Sequence, residues 1–190
     1  CKELVDASGP KHDKPFLLGL QVRVKLEHEP LVELFFGEKI CPKFFAWIVP
    51  ENEEVCRVGL ATHSPQPYLN KFLKKLGNPK IIEWQGGIIP LHKPLLYDKG
   101  GAYLLGDRAG HVKPTTGGGL VMGLKSAELL ATSNNYEKDW EKTIGKELAL
   151  HWRIKNFLDK LNDKGLDELI KAIASVKQRI EEYGDMDFPT

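Results

Sequence analysis

From Phe16 to about Thr62, apolar residues alternate with polar ones, and turn residues punctuate the alternation. In "FLLGLQVRVKLE", Leu20, Val22, Val24 and Leu26 fall on one side of an extended chain, because successive strand side chains point to opposite faces. "LVELFFGE" follows after Glu29 and Pro30, then "KFFAWIVP", then "EVCRVGLAT" beyond the turn "PENEE". Four short strands with tight connections predict an antiparallel meander, one face apolar and the other partly polar.

The period then changes. "PYLNKFLKKLG", residues 67–77, predicts a short helix with Leu69, Phe72, Leu73 and Leu76 as its stripe and Gly77 as its stop. "KIIEWQGGIIPLH" returns to extended structure, and Gly86 and Gly87 mark a bulge or a close backbone approach. "GGAYLLGD" predicts a strand ending at Asp107. "LVMGLKSAELLAT" predicts a helix with Leu120, Leu124, Ala127 and Ala131 on one face. Gly123 in mid-helix costs about 1 kcal/mol against alanine, so close packing is expected there. Residues 136–161 predict one helix, with Trp140, Ile144, Leu148, Trp152 and Leu158 along a stripe, and "NDKG" breaks it. A second helix is expected from about Leu166 to Tyr183, carrying Leu169, Ile170, Ile173, Val176 and Ile180 and stopping at Gly184. These two helices read as an appendage packed on the sheet, and the whole as an α+β fold.

Composition adds bounds rather than detail. At 190 residues, 42% hydrophobic and 28% charged, the chain is one large domain or a domain with an appendage, and either can bury a core. A formal net charge of +1 carries no nucleic-acid footprint. Cys1, Cys41 and Cys56 are odd in number and widely spaced, with no CxxC or HxxxH spacing. No metal site is expected, and the protein reads as reduced, intracellular and cytoplasmic. No apolar run approaches the ~20 residues of a membrane span. "CKELVDASGP" reads as the tail of a strand entering a turn of Asp6, Ser8, Gly9 and Pro10. Such an edge strand continues something, so the chain reads as the C-terminal part of a longer protein or the product of a broken one.

The densest candidate chemistry is "LLGDRAGHVKPTTGGG", residues 104–119. A strand ending in Gly106-Asp107 sets a carboxylate at the carboxyl edge of a sheet, where it can accept hydrogen bonds from sugar-like hydroxyls. Gly117, Gly118 and Gly119 open the next helix, leaving unpaired N–H groups and a positive dipole end for an electron-rich ligand. Pro114 fixes the backbone between the two anchors. A glycine hinge with Asp107 as a turn residue is the competing reading.

The order strand, "GDRAGHVKP", glycines, helix resembles the second flavin-contacting motif of the aromatic-hydroxylase superfamily of FAD enzymes. The form "GDRAGHVKPTTGGG" is most similar to the geranylgeranyl reductase family. The resemblance implies that Gly106 and Asp107 stand at the ribityl chain of FAD, with Asp107 binding it. It places Gly117, Gly118 and Gly119 on the pyrimidine side of the isoalloxazine, and Pro114 near its reactive side. It gives Arg108 and His111 no chemistry. "CPKFFAWIVPENEEVCRVGLA" resembles the same family's PxxYxWxFP stretch, with Phe45 in place of the tyrosine and Val49 in place of the phenylalanine. Pro42, Phe45, Trp47 and Pro50 are thereby implied to bind an isoprenoid tail, although Phe45 and Trp47 share a strand face as core residues also do. "ELVDASG" resembles the superfamily's short DG motif, with Asp6 and Gly9 near the pyrophosphate; an ordinary turn explains it nearly as well.

The fingerprint GxGxxG is absent. The resemblance therefore covers this chain and the latter part of the family's length, and the chain by itself is expected to be inactive. It implies residues 1–15 and 101–133 from an FAD-binding domain, 16–100 as an antiparallel substrate sheet, and 134–190 as C-terminal helices. The implied activity is flavin-dependent saturation of double bonds in a prenyl lipid, with peripheral membrane contact and with a missing N-terminal segment or chain as partner. Two alternatives stay open: another hydroxylase or dehydrogenase of the superfamily, and a non-catalytic lipid-binding module paired with a separate chain.

Overall fold

The computed structural model of the protein describes residues 3–175. In chain order its elements are β1 (Val5–Asp6), β2 (Phe16–Lys25), β3 (Glu33–Gly37), β4 (Cys41–Pro50), β5 (Val55–Thr62), α1 (Pro65–Lys75), β6 (Lys80–Pro90), β7 (Tyr103–Leu104), α2 (Leu120–Thr132), α3 (Tyr136–Trp140), α4 (Lys146–Leu158) and α5 (Asp163–Ser175). The fold is α+β. Contacts divide it into two compact units, one of residues 16–89 with 161–166 and one of residues 3–15, 90–160 and 167–175.

The first unit is a five-stranded sheet in the order β3-β4-β5-β2-β6. This departs from the expected meander. Strands β3, β4 and β5 follow one another, but β2 pairs with β5, from Leu18 opposite Thr62 to Lys25 opposite Val55. The seven residues between β2 and β3 are long enough to carry the chain past two strands instead of turning back. Short β3, with Leu34 and Phe36 exposed, suits an edge, whereas β5 is buried along most of its length.

One face of this sheet is the core. Val22, Val24, Ala46, Ile48, Cys56, Val58 and Leu60 are essentially inaccessible, and α1 contributes Leu69, Phe72 and Leu73. Phe35 meets Phe72 edge to face at 5.0 Å between ring centroids. Helix α1 starts two residues earlier than the pattern predicts, because Pro65 at its first turn has a helical φ and needs no amide partner. Leu20 is only half-buried, while Leu17 is buried. Cys41 and Cys56 are buried free thiols; burial pushes the Cys41 thiol up to about 11.

On the other face, Gly59 has no room for a side chain. A Cβ there would lie 2.5 Å from Gln21 Cβ and 2.6 Å from the Trp47 indole, so the ring lies across β5 only because position 59 is bare. Gly86 is a close approach, as its spacing predicts: a Cβ would stand 3.3 Å from the Gly19 carbonyl oxygen.

In the second unit, β1 and β7 pair in parallel. Its core gathers Leu105, Met122, Tyr136, Trp140, Ile144 and Leu148. The expected single helix from 136 is interrupted by one π turn, Glu141–Gly145, and ends at Leu158. Past Leu148 the buried side passes to His151 and Lys155, not to Trp152. These helices bury their apolar side in the core that also holds Leu105 and Met122. The "NDKG" break also starts α5, since Asn162 Oδ1 accepts from the Gly165 amide at 2.9 Å. No residue of α5 is buried, and Ile170 and Ile173 are exposed. Cys1, Val176, Ile180, Tyr183 and Gly184 lie outside the described residues.

Helix α2 forms where expected but turns its other side inward. Leu120 and Leu124 are 77% and 62% exposed, while Met122 and Ser126 are buried. The helix carries two apolar stripes, and the buried one is chosen by Gly123, whose missing Cβ would sit 3.3 Å from Gly106 Cα. Ser126 Oγ then donates to the Met122 carbonyl at 2.8 Å and accepts from Trp140 Nε1 at 3.0 Å.

Two substitutions test this packing. Ser126→Ala strips the buried indole N–H of its acceptor and is expected to destabilise by about 1–3 kcal/mol in urea unfolding, with Trp140→Phe in the same background recovering part of the loss. Gly59→Ala forces β5 against Gln21 and Trp47, with an expected cost of about 1–3 kcal/mol by the same measurement.

Candidate functional site

The glycine-rich loop is closed by its own backbone. Strand β7 stops at Leu104, and Gly106–Ala109 forms a 3-10 turn, so Asp107 sits on a turn and not at the end of a strand as expected. Gly106 and Gly110 hold φ of +59° and +72°, a region side-chain-bearing residues rarely adopt. The His111 amide donates to Gly106 O at 3.0 Å, Lys113 N to Gly118 O at 2.9 Å, and Gly117 N to Lys113 O at 2.8 Å. Pro114, fully buried, lies inside this closed loop.

Asp107 is the unsatisfied carboxylate of the loop. Its side chain is partly buried, it has no side-chain hydrogen bond or ion pair among the described residues, and burial alone pushes its carboxyl above the ordinary value. It lies against the start of α2, where a Cβ on Gly119 would stand 2.9 Å from Asp107 Oδ1. No side chain caps α2, and Gly118 and Leu120 are exposed. A carboxylate with no side-chain partner among the described residues thus stands beside a helix start with no side-chain cap, although the Gly117 and Gly118 amides are taken by Lys113 O and Thr116 Oγ1. That donor set fits a ligand with hydroxyls on one side and an electron-rich ring edge on the other, as FAD has.

Asp6 is occupied differently. Ser8 donates to Oδ1 through its hydroxyl at 2.6 Å and its amide at 3.0 Å, and Arg108 Nε donates to Oδ2 at 2.5 Å. The Ser8 hydroxyl, then Arg108, hold the carboxyl down at about 2. Gly9 has φ of +92° and open space where a Cβ would be. Arg108, to which the resemblance assigns no chemistry, therefore ties the first strand's end to the glycine turn. Nothing in sequence spacing marks a pair 102 residues apart.

Two further groups were not singled out beforehand. His111 is fully buried, neither ring nitrogen has a partner, and its ring lies 5.1 Å from the Trp140 ring. Burial pushes its pKa down to about 4. Beyond Pro114, the Thr115 hydroxyl lies 2.7 Å from His151 Nδ1, and His151 Nε2 lies 3.3 Å from Glu147 Oε1, an ion-pair contact and not an aligned hydrogen bond.

In the sheet unit, Phe45 and Trp47 share a face at 6.0 Å between centroids, with Phe36 5.6 Å from Phe45. Neither is buried, whereas Ala46 and Ile48 between and beyond them are. They are therefore not core residues. Pro50 pairs with Cys56 and so alternates to the core side, away from Trp47. Pro42 starts the strand beside Lys43, whose φ of +65° breaks the alternation. Trp47 Nε1 donates to Gln21 Oε1 at 2.9 Å, and Gln21 Nε2 to Gln85 Oε1 at 2.6 Å. These three with Gly19, Gly86 and Ile89 line an open pocket of about 300 Å³. The glutamines went unnoticed because their strand positions read simply as polar. Among the described residues no His, Cys, Asp and Glu group could hold a metal ion, and no helix is long and apolar enough to cross a membrane.

His111 gives a pH-dependent stability with a definite sign. Unfolded, the imidazole takes up a proton below its ordinary 6.5; folded, it resists until about 4. The unfolded state therefore binds more protons in that window, and stability present above pH 6.5 is lost as pH falls towards 4, on the order of 3 kcal/mol in full. Urea midpoints across this range should fall in the parent protein and stay flatter in His111→Leu.

Comparison with known proteins follows the same lines. No family model matches the sequence. The chain is 31% identical over 165 residues to digeranylgeranylglycerophospholipid reductase 2 of Methanothermobacter thermautotrophicus, spanning 75% of this chain and 43% of that protein. It is 32% identical over 183 residues to the digeranylgeranylglycerophospholipid reductase of Methanococcus vannielii, spanning 83% and 47%. The chain thus spans less than half the length of these curated relatives. Among solved structures, a geranylgeranyl bacteriochlorophyll reductase-like protein from Thermoplasma acidophilum superposes with a TM-score of 0.77 at 22% identity, over 96% of this chain and 62% of that one. The flavin-dependent brominase Bmp2 shares the fold more loosely, with a TM-score of 0.56 at 15% identity over 96% and 62%. On these matches the chain is a homologue of the geranylgeranyl reductase family over part of its members' length.

Proposed function

We propose that the chain is the C-terminal part of a flavin-dependent reductase that saturates double bonds of prenyl lipids. The observation that carries this reading is the partly buried, unpartnered carboxylate of Asp107 against the uncapped start of α2. In it, Asp107 accepts hydrogen bonds from the ribityl hydroxyls of FAD, with Gly106 leaving the approach clear. Gly117, Gly118 and Gly119 set bare backbone at the pyrimidine edge; the Gly117 and Gly118 amides already donate to Lys113 O and Thr116 Oγ1, so it is the positive end of α2 beyond them that favours the electron-rich reduced ring. Pro114 holds the loop at the reactive side. Gly9 gives backbone access near the pyrophosphate, while Asp6 orders that turn through Ser8 and Arg108. When bound, the flavin supplies the hydride.

The prenyl chain is assigned to the open face of the sheet. Phe45 and Trp47 offer an aromatic wall, with Pro42 and Pro50 setting the ends of its strand. Loss of the tyrosine hydroxyl at position 45 leaves that wall apolar, which suits a hydrocarbon. The relatives' names, which specify a glycerophospholipid substrate, support the same class. A lipid substrate brings peripheral contact with a membrane surface to a cytoplasmic protein.

The dinucleotide half of the flavin site falls to a partner, either an upstream segment or a separate chain. Exposed Leu4 and Val5 at the start of β1, and Leu120 and Leu124 on α2, are the apolar surfaces such a partner would cover. Parallel strands are ordinarily covered on both faces, and two-stranded β1-β7 is far from that condition.

Absorbance in the flavin bands tests the reading. The chain alone should be colourless after adding FAD and excess FAD removal, and a longer protein carrying the upstream part should be yellow. In that protein, Asp107→Ala should weaken FAD binding about 10- to 100-fold. Colour in neither form, together with binding of long prenyl lipids by the chain, would favour the non-catalytic lipid module.

A further inference from the structure

We propose that the open face of the sheet ends in a blind trough over Gly19 and Gly87, which receives the terminal isoprene unit of a prenyl chain and limits the length of chain accepted. The inference rests on the prenyl-lipid reading above and adds where the hydrocarbon stops.

The trough lies wholly within the sheet unit and follows from strand alternation. Along β2, alternate positions put Gly19, Gln21 and Arg23 on the open face, and along β6 they put Ile89, Gly87, Gln85 and Glu83 there. The two series meet side by side. A Cβ on Gly19 would stand 3.5 Å from Ile89 Cδ1 and 3.6 Å from the Gly87 carbonyl oxygen. Gln21 Nε2 donates to Gln85 Oε1 at 2.6 Å, and Arg23 Nη1 lies 3.3 Å from Glu83 Oε2. Polarity therefore rises in three steps along the two strands: bare backbone with an isoleucine, then a pair of amides, then an ion pair. Away from β6 the trough continues into the aromatic wall. Trp47 pairs with Gly59 and Gly59 with Gln21, so the indole and the first amide share one row across three strands. Phe45 stands two residues before Trp47 on the same face.

Each step constrains the occupant. The bare backbone makes the depression, about 300 Å³ in volume, with Trp47 and Ile89 in its lining. That is the small end of the range for ligand sites, room for the end of a chain and not for a whole lipid. The amide pair closes it. Gln21 Oε1 accepts from Trp47 Nε1 at 2.9 Å, Gln85 Oε1 accepts from Gln21, and Gln85 Nε2 donates to Glu83 Oε1 at 3.2 Å. A polar head entering the trough would find both amide oxygens taken. Beyond the glutamines, Arg23 and Arg57 share Glu51. A hydrocarbon running past the amides would strip water from those charges and offer them nothing in return. The apolar end of a chain that stops at the amides meets neither cost. Gly87 is the position that probes this space. Its φ lies outside the left-handed region and a Cβ there would meet nothing within 4 Å, so a side chain at 87 fills the trough and displaces no neighbour.

The test measures binding of geraniol, farnesol and geranylgeraniol to the longer protein carrying the upstream part, by titration calorimetry. Affinity should rise with each added isoprene unit. Gly87→Leu should lower affinity for geranylgeraniol about 10-fold more than affinity for geraniol, because only the longer chain reaches the trough. Gly87→Ala, which leaves most of the space, should fall between Gly87→Leu and the parent. A second arm needs no variant. A geranylgeraniol analogue with a photoreactive diazirine on its terminal isoprene unit should label the segment 85–89, read by mass spectrometry of the peptides. Equal losses for geraniol and geranylgeraniol in Gly87→Leu overturn the trough. So does label confined to other segments, the outcome expected where the upstream part itself covers Gly87. Failure of all three alcohols to bind overturns the prenyl-lipid reading instead, so the two failures are told apart.

Discussion

The unit that holds the glycine loop depends on two backbones coming closer than side chains permit. Helix α2 rests on the turn at Gly106 because Gly123 presents no Cβ, and the residue before its first turn stands against Asp107 because Gly119 presents none. Any larger residue at either place would lift the helix from the turn. That contact settles which side of α2 is buried, and through Ser126 it sets the Trp140 indole and the core around it. It also leaves the start of the helix uncapped beside a carboxylate. The same short distances thus shape the core and the candidate site together.

Electrostatics in this unit divides into groups that are satisfied and groups that wait. Asp6 has both oxygens engaged, by Ser8 and by a buried Arg108, and its low pKa reflects those donors. Asp107, a short way along in space through the Arg108 turn, is partly buried without comparable donors, and its pKa moves in the opposite direction. The two aspartates, one ending β1 and one in the turn after β7, therefore differ in setting: Asp6 is engaged by its neighbours, and Asp107 has no comparable donors. His111 belongs to neither group. It is a buried ring without a partner, held neutral by its surroundings and packed as an aromatic beside Trp140.

The sheet unit applies the same economy of side chain on a flat surface. Its core face is uniformly aliphatic and closed by α1, while its other face is kept open, with Gly59 letting Trp47 lie flat and Gln21 linking Trp47 to Gln85. The result is an aromatic floor whose polar atoms are already paired with each other. Such a floor offers an apolar ligand contact without demanding hydrogen bonds from it.

Much of this was written in the order of residues. Alternation with period two gave the strands and set Phe45 and Trp47 on one face, and the glycine-aspartate run gave the loop. These are local features, fixed by backbone sterics and by which side chains can share a face. The pairing of β2 with β5, the buried side of α2, and the inward turn of His151 in place of Trp152 were decided only by tertiary structure. Each is a choice between alternatives of similar local quality: two apolar stripes on one helix, or two free edges for one strand. The difference lies in contacts with residues far along the chain, such as Gly106 against Gly123 or Asp6 against Arg108. A sequence lists what each segment can bury, but the packing partner determines which of those options is taken.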